Sequence, residues 1–115
     1  MSDGGRIAVA DLGTNSTRLL VADHAGDDEV REVDRRTNVT RLGEGVDASG
    51  RLARDAVERV LACLDAYRDL AEEHGAERRI AVATSAVRDA ANGDQFMAEV
   101  RERHGFDART IRGDE

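Results

Sequence analysis

The alternation of hydrophobic and polar positions predicts three short strands in the first third of the chain. The three predicted strands are 7–10, 17–22 and 29–35. A glycine-containing bend at 13–16 and a turn at 26–28 separate them. Val30 and Val33 do not share a face at a period of two, so we expect the third strand to be an exposed or bulged edge. The pattern therefore predicts an antiparallel meander.

A helical repeat replaces the strand pattern in the middle of the chain. From Leu52 to His74 apolar residues recur at spacings of three and four, and Gly75 follows as a stop signal. The stretch 79–83 is short and rich in small and β-branched residues, which predicts a fourth strand. Residues 84–91 are then expected to form a loop or a single helical turn.

The last part of the chain predicts a second helix and a fifth strand. Asn92 followed by Gln95 is typical of a capping box, and Gly105 is placed as the end of the helix. Residues 106–111 return to a strand pattern. The order β-β-β-α-β-α-β requires antiparallel pairing early and right-handed parallel crossovers late. We therefore predict an α/β fold with a mixed five-stranded sheet.

Most of the candidate chemistry lies in the bend between the first two strands. Asp11 ends the first strand, and the bend continues through Gly13, Thr14, Asn15, Ser16, Thr17 and Arg18. We expect Gly13 and Asn15 to take the positive φ of a tight turn. Successive backbone N–H groups in such a bend can converge on an anion, and a carboxylate beside them can hold a hydrated divalent cation. The bend therefore predicts a phosphate site, and a plain hairpin turn with Asp11 as its cap is the alternative.

The identity of the basic residues excludes some kinds of phosphate site and of catalysis. All 17 of them are arginine, which excludes a Walker A loop and a Schiff-base mechanism. The planar guanidinium can bind phosphate oxygens in pairs. Four of the arginines lie at or near predicted strand ends, where they could form one cationic patch: Arg18, Arg41, Arg88 and Arg112. A genome rich in arginine is the other explanation for the missing lysine.

Charge and composition limit the partners and the compartment. The net charge of −7 disfavours binding to nucleic acid or to anionic membranes. Cys63 is the single cysteine, no apolar run approaches the roughly 20 residues of a membrane span, and the N-terminus has no signal-like pattern. We therefore expect a soluble cytoplasmic protein. Cys63 is expected in the core, and His24, His74 and His104 are expected on the surface.

Four motifs are distributed along the whole chain. They are Asp11-Leu12-Gly13-Thr14-Asn15-Ser16-Thr17-Arg18, Thr40-Arg41-Leu42-Gly43-Glu44-Gly45, Ala83-Thr84-Ser85-Ala86-Val87-Arg88-Asp89-Ala90 and Ile111-Arg112-Gly113-Asp114-Glu115. In this order and spacing they resemble the exopolyphosphatase and guanosine pentaphosphate phosphohydrolase family of the actin, Hsp70 and sugar-kinase superfamily. The resemblance implies a ribonuclease-H-like, actin-like subdomain. It also implies that 1–115 is an N-terminal lobe, truncated before its last helix and the second lobe.

The resemblance further implies roles for individual residues. Glu115 would be the general base that activates water, and Arg88 would contact the substrate. Residues 13–17 and Arg18 would bind phosphate, and Asp11 would hold Mg²⁺ through water. Arg112 departs from the family pattern, which usually has a small hydroxyl residue there.

The implied reaction is hydrolysis of a terminal phosphoanhydride bond of inorganic polyphosphate or of guanosine pentaphosphate. A missing second lobe or a homo-oligomer partner would complete the site, so we expect the isolated chain to turn over poorly or not at all. Two alternatives remain open at this point. One is a noncatalytic phosphate-binding or assembly module, and the other is a lobe of an actin-like ATPase or kinase.

Overall fold

The computed structural model describes residues 5–24, 29–83 and 85–110. Strands and helices follow one another along these residues in the order β1 Arg6–Leu12, β2 Ser16–His24, β3 Val30–Val39, α1 Val46–Ser49, α2 Arg54–Glu73, β4 Arg78–Ala83, α3 Ser85–Asp89, α4 Gly93–His104 and β5 Asp107–Thr110. Apart from the short α1 and α3, this is the predicted order. Residues 84–91 are expected to form either a loop or a single helical turn, and the structure has the short helix α3 there.

The five strands form one mixed sheet with the order β3-β2-β1-β4-β5. The β1–β2 and β2–β3 pairs are antiparallel, whereas β1–β4 and β4–β5 are parallel. This confirms the predicted ribonuclease-H-like architecture. Because β1 and β4 are parallel and Leu12 pairs with Ala83, their carboxyl ends meet. We call this end of the sheet the hairpin edge, and it is the position at which open α/β sheets bind ligands.

Strand β3 is the bulged edge that the sequence pattern predicts. Its pairing with β2 passes from Val21–Asp34 to Ala22–Glu32, so Val33 is the extra residue of the bulge. The strand is longer than predicted, because residues 36–39 continue the ladder with 16–19 of β2. Edge strands expose unpaired backbone groups, and the bulge together with the many charges of β3 disfavours pairing with another chain.

The helices cover one face of the sheet. Helix α2 packs on β1 and β2, and α4 packs on α2 and β5. The buried side chains of α2 are Ala56, Val57, Val60, Leu61, Leu64, Tyr67 and Ala71. Cys63 packs partly buried against the same core, as expected, and burial raises the pKa of its thiol. In the described part of the chain, no helix combines the length and the apolar character needed to cross a membrane.

Asn92 does not form the capping box that its sequence context predicts. Its side chain makes no cap bond to α4. Instead Oδ1 accepts from the N–H of Leu52 at 2.8 Å, and Nδ2 donates to the Leu52 carbonyl at 3.0 Å. The side-chain amide thus makes the same pair of hydrogen bonds that a backbone residue makes in an antiparallel sheet, and these bonds connect the segment before α2 to the start of α4. A tertiary partner 40 residues away has replaced the local one.

His104 is buried, so the prediction that all three histidines lie on the surface is wrong for this one. Its Nε2 lies 2.7 Å from Asp65 Oδ1 and 3.1 Å from the Leu61 carbonyl. Both neighbours are acceptors, so Nε2 carries the proton. Gly105 ends α4 in a left-handed conformation at φ 70°, and the last side chain of the helix packs against α2. The prediction was wrong because it took the end of α4 to be exposed, whereas α2 covers it.

Acid is expected to destabilise the fold through Asp34. This carboxylate accepts from Arg36 at 3.1 Å, from His74 Nε2 at 3.0 Å and from the Arg35 N–H at 2.8 Å. These bonds, the one from Arg36 first, lower its pKa from 3.8 to about 2. A carboxylate whose pKa is lower in the folded than in the unfolded state stabilises the fold. This stabilisation is complete above the unfolded-state pKa and is lost as the pH falls through the folded-state pKa. The stability of the wild type against urea should therefore fall from pH 4 to pH 2 more steeply than that of Asp34→Asn. Parallel curves would contradict this assignment.

Candidate functional site

A shallow cavity lies in the β1–β2 hairpin at the hairpin edge. Its volume is about 210 Å³. The residues that line it are Asp11, Gly13, Thr14, Asn15, Ser16 and Arg18. The structure therefore brings together at one place most of the site residues predicted for this bend. We call this feature the hairpin cavity.

Strand pairing positions the two charged side chains of the hairpin cavity. Asp11 of β1 pairs directly with Arg18 of β2, and directly opposed residues share a face of the sheet. The next pair along, Leu12 and Thr17, is buried beneath the helices. Asp11 and Arg18 therefore lie on the other face of the sheet. A carboxylate and a guanidinium side by side can serve a hydrated cation and an anion at the same time.

The turn reaches this geometry without the positive φ values that we expected at Gly13 and Asn15. In the described part of the chain the positive-φ residues are Arg41 and four glycines other than Gly13. Gly13 has a different reason to be glycine. Its N–H donates to the Ser16 carbonyl at 3.0 Å, and a Cβ on Gly13 would lie 3.0 Å from that same oxygen. The close backbone approach across the turn is what disfavours a side chain there.

The segment Thr40–Gly45, which we call the backing loop, packs behind the turn. The Thr14 carbonyl accepts from Gly43 N–H at 2.9 Å, and the Asn15 carbonyl accepts from the N–H groups of Arg41 and Thr40 at 3.0 and 3.1 Å. In a planar trans peptide the N–H points opposite to the C=O. The N–H groups of Asn15 and Ser16 are therefore directed away from the backing loop. Two adjacent N–H groups with this common direction can bind an anion.

Thr17 does not line the hairpin cavity. Its side chain is buried, and its Oγ1 lies 2.7 Å from Oγ1 of Thr40. Its carbonyl accepts from the Tyr67 hydroxyl at 2.8 Å. Thr17 thus anchors the hairpin to the backing loop and to α2. The predicted contact of Thr17 with phosphate has no support from the position of its side chain.

Of the other predicted site residues, the two that the structure describes, Arg41 and Arg88, do not line the hairpin cavity. Arg88 is in α3, directly after β4, and its Nε is 3.3 Å from Asp89 Oδ1. Arg41 is exposed in the backing loop with a left-handed φ of 51°. Arg112 and Glu115 lie outside the described residues. Arg88 and Glu115 therefore stay predictions as catalytic groups.

The donor atoms around Asp11 fit a hydrated magnesium ion. The hairpin cavity offers one carboxylate together with hydroxyl and carbonyl oxygens, which are the ligands that hard cations prefer. Within residues 5–24, 29–83 and 85–110, no group of three or more His, Cys, Asp and Glu side chains could form a denser shell. Magnesium commonly keeps several of its waters, so one carboxylate is compatible with binding. The metal itself stays a prediction.

Two residues of α2 that we did not select from the sequence also contact the hairpin or its backing loop. Tyr67 donates to the Thr17 carbonyl, and burial raises the pKa of its phenol so that it stays protonated. Arg59 Nε donates to the Thr40 carbonyl at 2.8 Å. The helical repeat identifies Tyr67 only as a core residue and Arg59 only as a polar one. No local signal in the sequence shows that either one faces the hairpin edge.

Known proteins are similar in sequence to this chain over most of its length. The chain matches the Ppx/GppA phosphatase family over residues 20–115. It is 48% identical to exopolyphosphatase 2 of Mycobacterium tuberculosis over 96 residues, which are 81% of this chain and 30% of that protein. Guanosine-5'-triphosphate,3'-diphosphate pyrophosphatase of Vibrio cholerae is 32% identical over 108 residues, covering 94% of this chain and 22% of that protein.

A crystal structure of the Aquifex aeolicus member of the Ppx/GppA family has the same fold. It superposes with a TM-score of 0.88 at 34% identity, over 96% of this chain and 36% of that one. The chain therefore spans less than two fifths of the length of each of these three proteins.

Proposed function

Because the chain belongs to the Ppx/GppA phosphatase family, we propose that it forms the phosphate-binding first lobe of a phosphohydrolase. The reaction would be hydrolysis of a terminal phosphoanhydride bond. The single observation that carries this proposal is the hairpin cavity, in which Asp11, the turn and Arg18 lie together at the ligand-binding edge of the sheet.

Each group of the hairpin cavity has a distinct part in this proposal. The N–H groups of Asn15 and Ser16, with the hydroxyls of Thr14 and Ser16, would hold the oxygens of a terminal phosphate. The Arg18 guanidinium would bind two phosphate oxygens through its planar fork. Asp11 would hold a hydrated Mg²⁺, which when bound offsets the negative charge of the phosphate. This lobe thus supplies substrate binding and charge compensation.

Activation of water would come from groups beyond the hairpin cavity. Glu115 is the proposed general base, and a carboxylate in that role must lie within hydrogen-bond reach of a water in line with the bond that breaks. Arg88, at the end of the neighbouring strand β4, would be a second phosphate contact. The remaining ligands would come from a second lobe or from a second copy of the chain. We therefore expect weak phosphate binding by the isolated chain, with slow turnover or none.

Two substrate classes share the chemistry that this lobe would recognise. The relatives include a protein named exopolyphosphatase and one named guanosine-5'-triphosphate,3'-diphosphate pyrophosphatase. The groups around the hairpin cavity would contact only phosphate oxygens and the metal. We therefore propose inorganic polyphosphate or guanosine pentaphosphate as substrate and assign the choice between them to the rest of the site.

Tripolyphosphate is expected to bind at the hairpin cavity in the presence of Mg²⁺. Its addition to the ¹⁵N-labelled chain should shift the amide signals of residues 13–18 together, whereas Gly75, beyond the far end of α2, should not move. Arg18→Gln should weaken binding by about fivefold or more, because a charge-assisted contact is lost. The matched control is Arg78→Gln, which removes the same charge at the opposite end of the sheet and should change affinity by less than about twofold.

Equal weakening by the two substitutions would show that binding follows net charge and not the hairpin cavity. If residues 13–18 stay unshifted while the spectrum remains dispersed, the isolated lobe does not bind phosphate and the proposal fails in this form.

A further inference from the structure

We propose that Arg59 of α2 is a positioning residue of the hairpin cavity, acting through the backing loop and without contact to the ligand. Its side chain is only partly exposed, and it points from α2 to the loop that packs behind the turn. The relevance of Arg59 to phosphate rests on the proposed function, whereas its effect on the hairpin backbone does not.

The Arg59 guanidinium donates hydrogen bonds to two successive carbonyls of the backing loop. Nε of Arg59 donates to the Thr40 carbonyl at 2.8 Å, and Nη2 donates to the Arg41 carbonyl at 3.3 Å. Nη2 also donates to Glu44 Oε1 at 2.9 Å, in the same loop. The fixed fork of guanidinium donors suits several acceptors at once, whereas an ammonium group is a single point of charge. Arg59 thus holds the backing loop against α2.

The backing loop in turn holds the turn of the hairpin. With its carbonyls bound by Arg59, the loop presents three N–H groups to two adjacent carbonyls of the hairpin. Thr40 and Arg41 donate to Asn15, and Gly43 donates to Thr14. These bonds turn the negative ends of both peptide groups away from the hairpin cavity and their N–H ends in the opposite direction.

The backbone of Arg41 needs this support. Its left-handed φ of 51° is costly for a residue with a side chain, and such a conformation persists only where surrounding contacts compensate for it. Arg59 binds the carbonyl of this very residue, and the Arg41 N–H binds Asn15. If the backing loop relaxes, the carbonyls of Thr14 and Asn15 are free to rotate towards a bound phosphate and to repel it.

Four substitutions separate this role from that of a surface ion pair. Arg59→Gln removes the fork. Arg54→Gln is the matched control on the same helix, because Arg54 pairs with the carboxylates of Glu58 and Glu99. Glu44→Gln removes the carboxylate partner of Arg59 but leaves both carbonyl bonds. Arg59→Lys keeps the charge with a single donor group, and it serves as the test variant if Arg59→Gln does not fold.

The first measurement needs no ligand. In Arg59→Gln we expect the amide signals of Asn15, Ser16 and Gly43 to shift, and hydrogen exchange at Arg41 and Gly43 to rise by about tenfold, through local opening. Arg54→Gln and Glu44→Gln should leave these amides close to wild type. Exchange in the core of α2 should stay unchanged, which a general loss of stability would not allow. If Arg59→Gln leaves the hairpin amides as Arg54→Gln does, the positioning role is refuted.

The second measurement is the affinity for tripolyphosphate with Mg²⁺. Arg59→Gln should bind about fivefold more weakly than wild type, Arg59→Lys should restore part of the loss, and Arg54→Gln should bind within about twofold. Wild-type protein that does not bind tripolyphosphate would contradict the proposed function, but the ligand-free measurement would still decide the role of Arg59. Unchanged affinity in a variant whose hairpin amides have moved would refute the link between Arg59 and the phosphate.

Discussion

Alanine at position 93 is expected to lower the free energy of unfolding by about 3 kcal/mol or more. Gly93 is buried at the start of α4, where the chain passes over α3. A Cβ at this position would overlap the carbonyl oxygen of Val87 and lie 3.0 Å from its carbonyl carbon. Both contacts are to backbone, so no change of side-chain rotamer relieves them. Either α3 or α4 must move, and the two helices pack against each other and against the sheet.

Urea unfolding with Gly50→Ala as the control tests this expectation. Gly50 has a left-handed φ of 72°, and a Cβ there would meet no atom within 4 Å, so its substitution carries a conformational cost and no overlap. That cost is about 1 kcal/mol. If Gly93→Ala is no more destabilising than Gly50→Ala, the close approach of α3 and α4 does not exist in solution.

Asparagine at position 11 is expected to abolish the magnesium dependence of phosphate binding. The substitution keeps the size of the side chain and one oxygen acceptor but removes the negative charge that would hold the hydrated cation. We expect Mg²⁺ to strengthen tripolyphosphate binding by about tenfold in the wild type and to have no effect in Asp11→Asn. In the absence of metal the variant should bind slightly more tightly, because a carboxylate no longer repels the anion.

Titrations with and without Mg²⁺ measure this difference directly. Asp107→Asn removes an exposed carboxylate of β5 that pairs with Arg109, and it should leave the magnesium effect intact. Thermal unfolding should show Asp11→Asn as stable as wild type, which separates loss of metal from loss of fold. A magnesium effect that survives in Asp11→Asn would place the cation elsewhere.

Local signals in the sequence are sufficient for the existence and order of the five strands and the two long helices. The pattern predicts a helix over 52–74, and α2 runs from 54 to 73, with Gly75 and Gly105 ending the two long helices as predicted. The hydrophobic period and the placement of glycines reflect contacts between residues a few positions apart, so they can be recognised from the sequence alone. The bulged edge strand is predictable for the same reason, because a change of face within β3 is itself a local pattern.

The sequence is less informative where a long-range partner competes with a local one. Asn92 has the surroundings of a helix cap, but its amide bonds Leu52. His104 ends a helix, but α2 covers it. The positive φ expected in the hairpin occurs instead at Arg41 in the backing loop. In each case the competing contact joins segments whose relative position depends on packing and not on the neighbouring residues.

By itself, then, the sequence determined the element order, the mixed sheet and the grouping of Asp11, the turn and Arg18, because a tight hairpin keeps residues close in the chain close in space. Only the tertiary structure decided which groups support that hairpin. Thr17 faces the core, the backing loop binds the hairpin carbonyls, and Arg59 reaches that loop from α2 across 18 residues of sequence. Such contacts depend on how the helix lies on the sheet, which follows from burying the whole apolar face of α2 and not from any single residue.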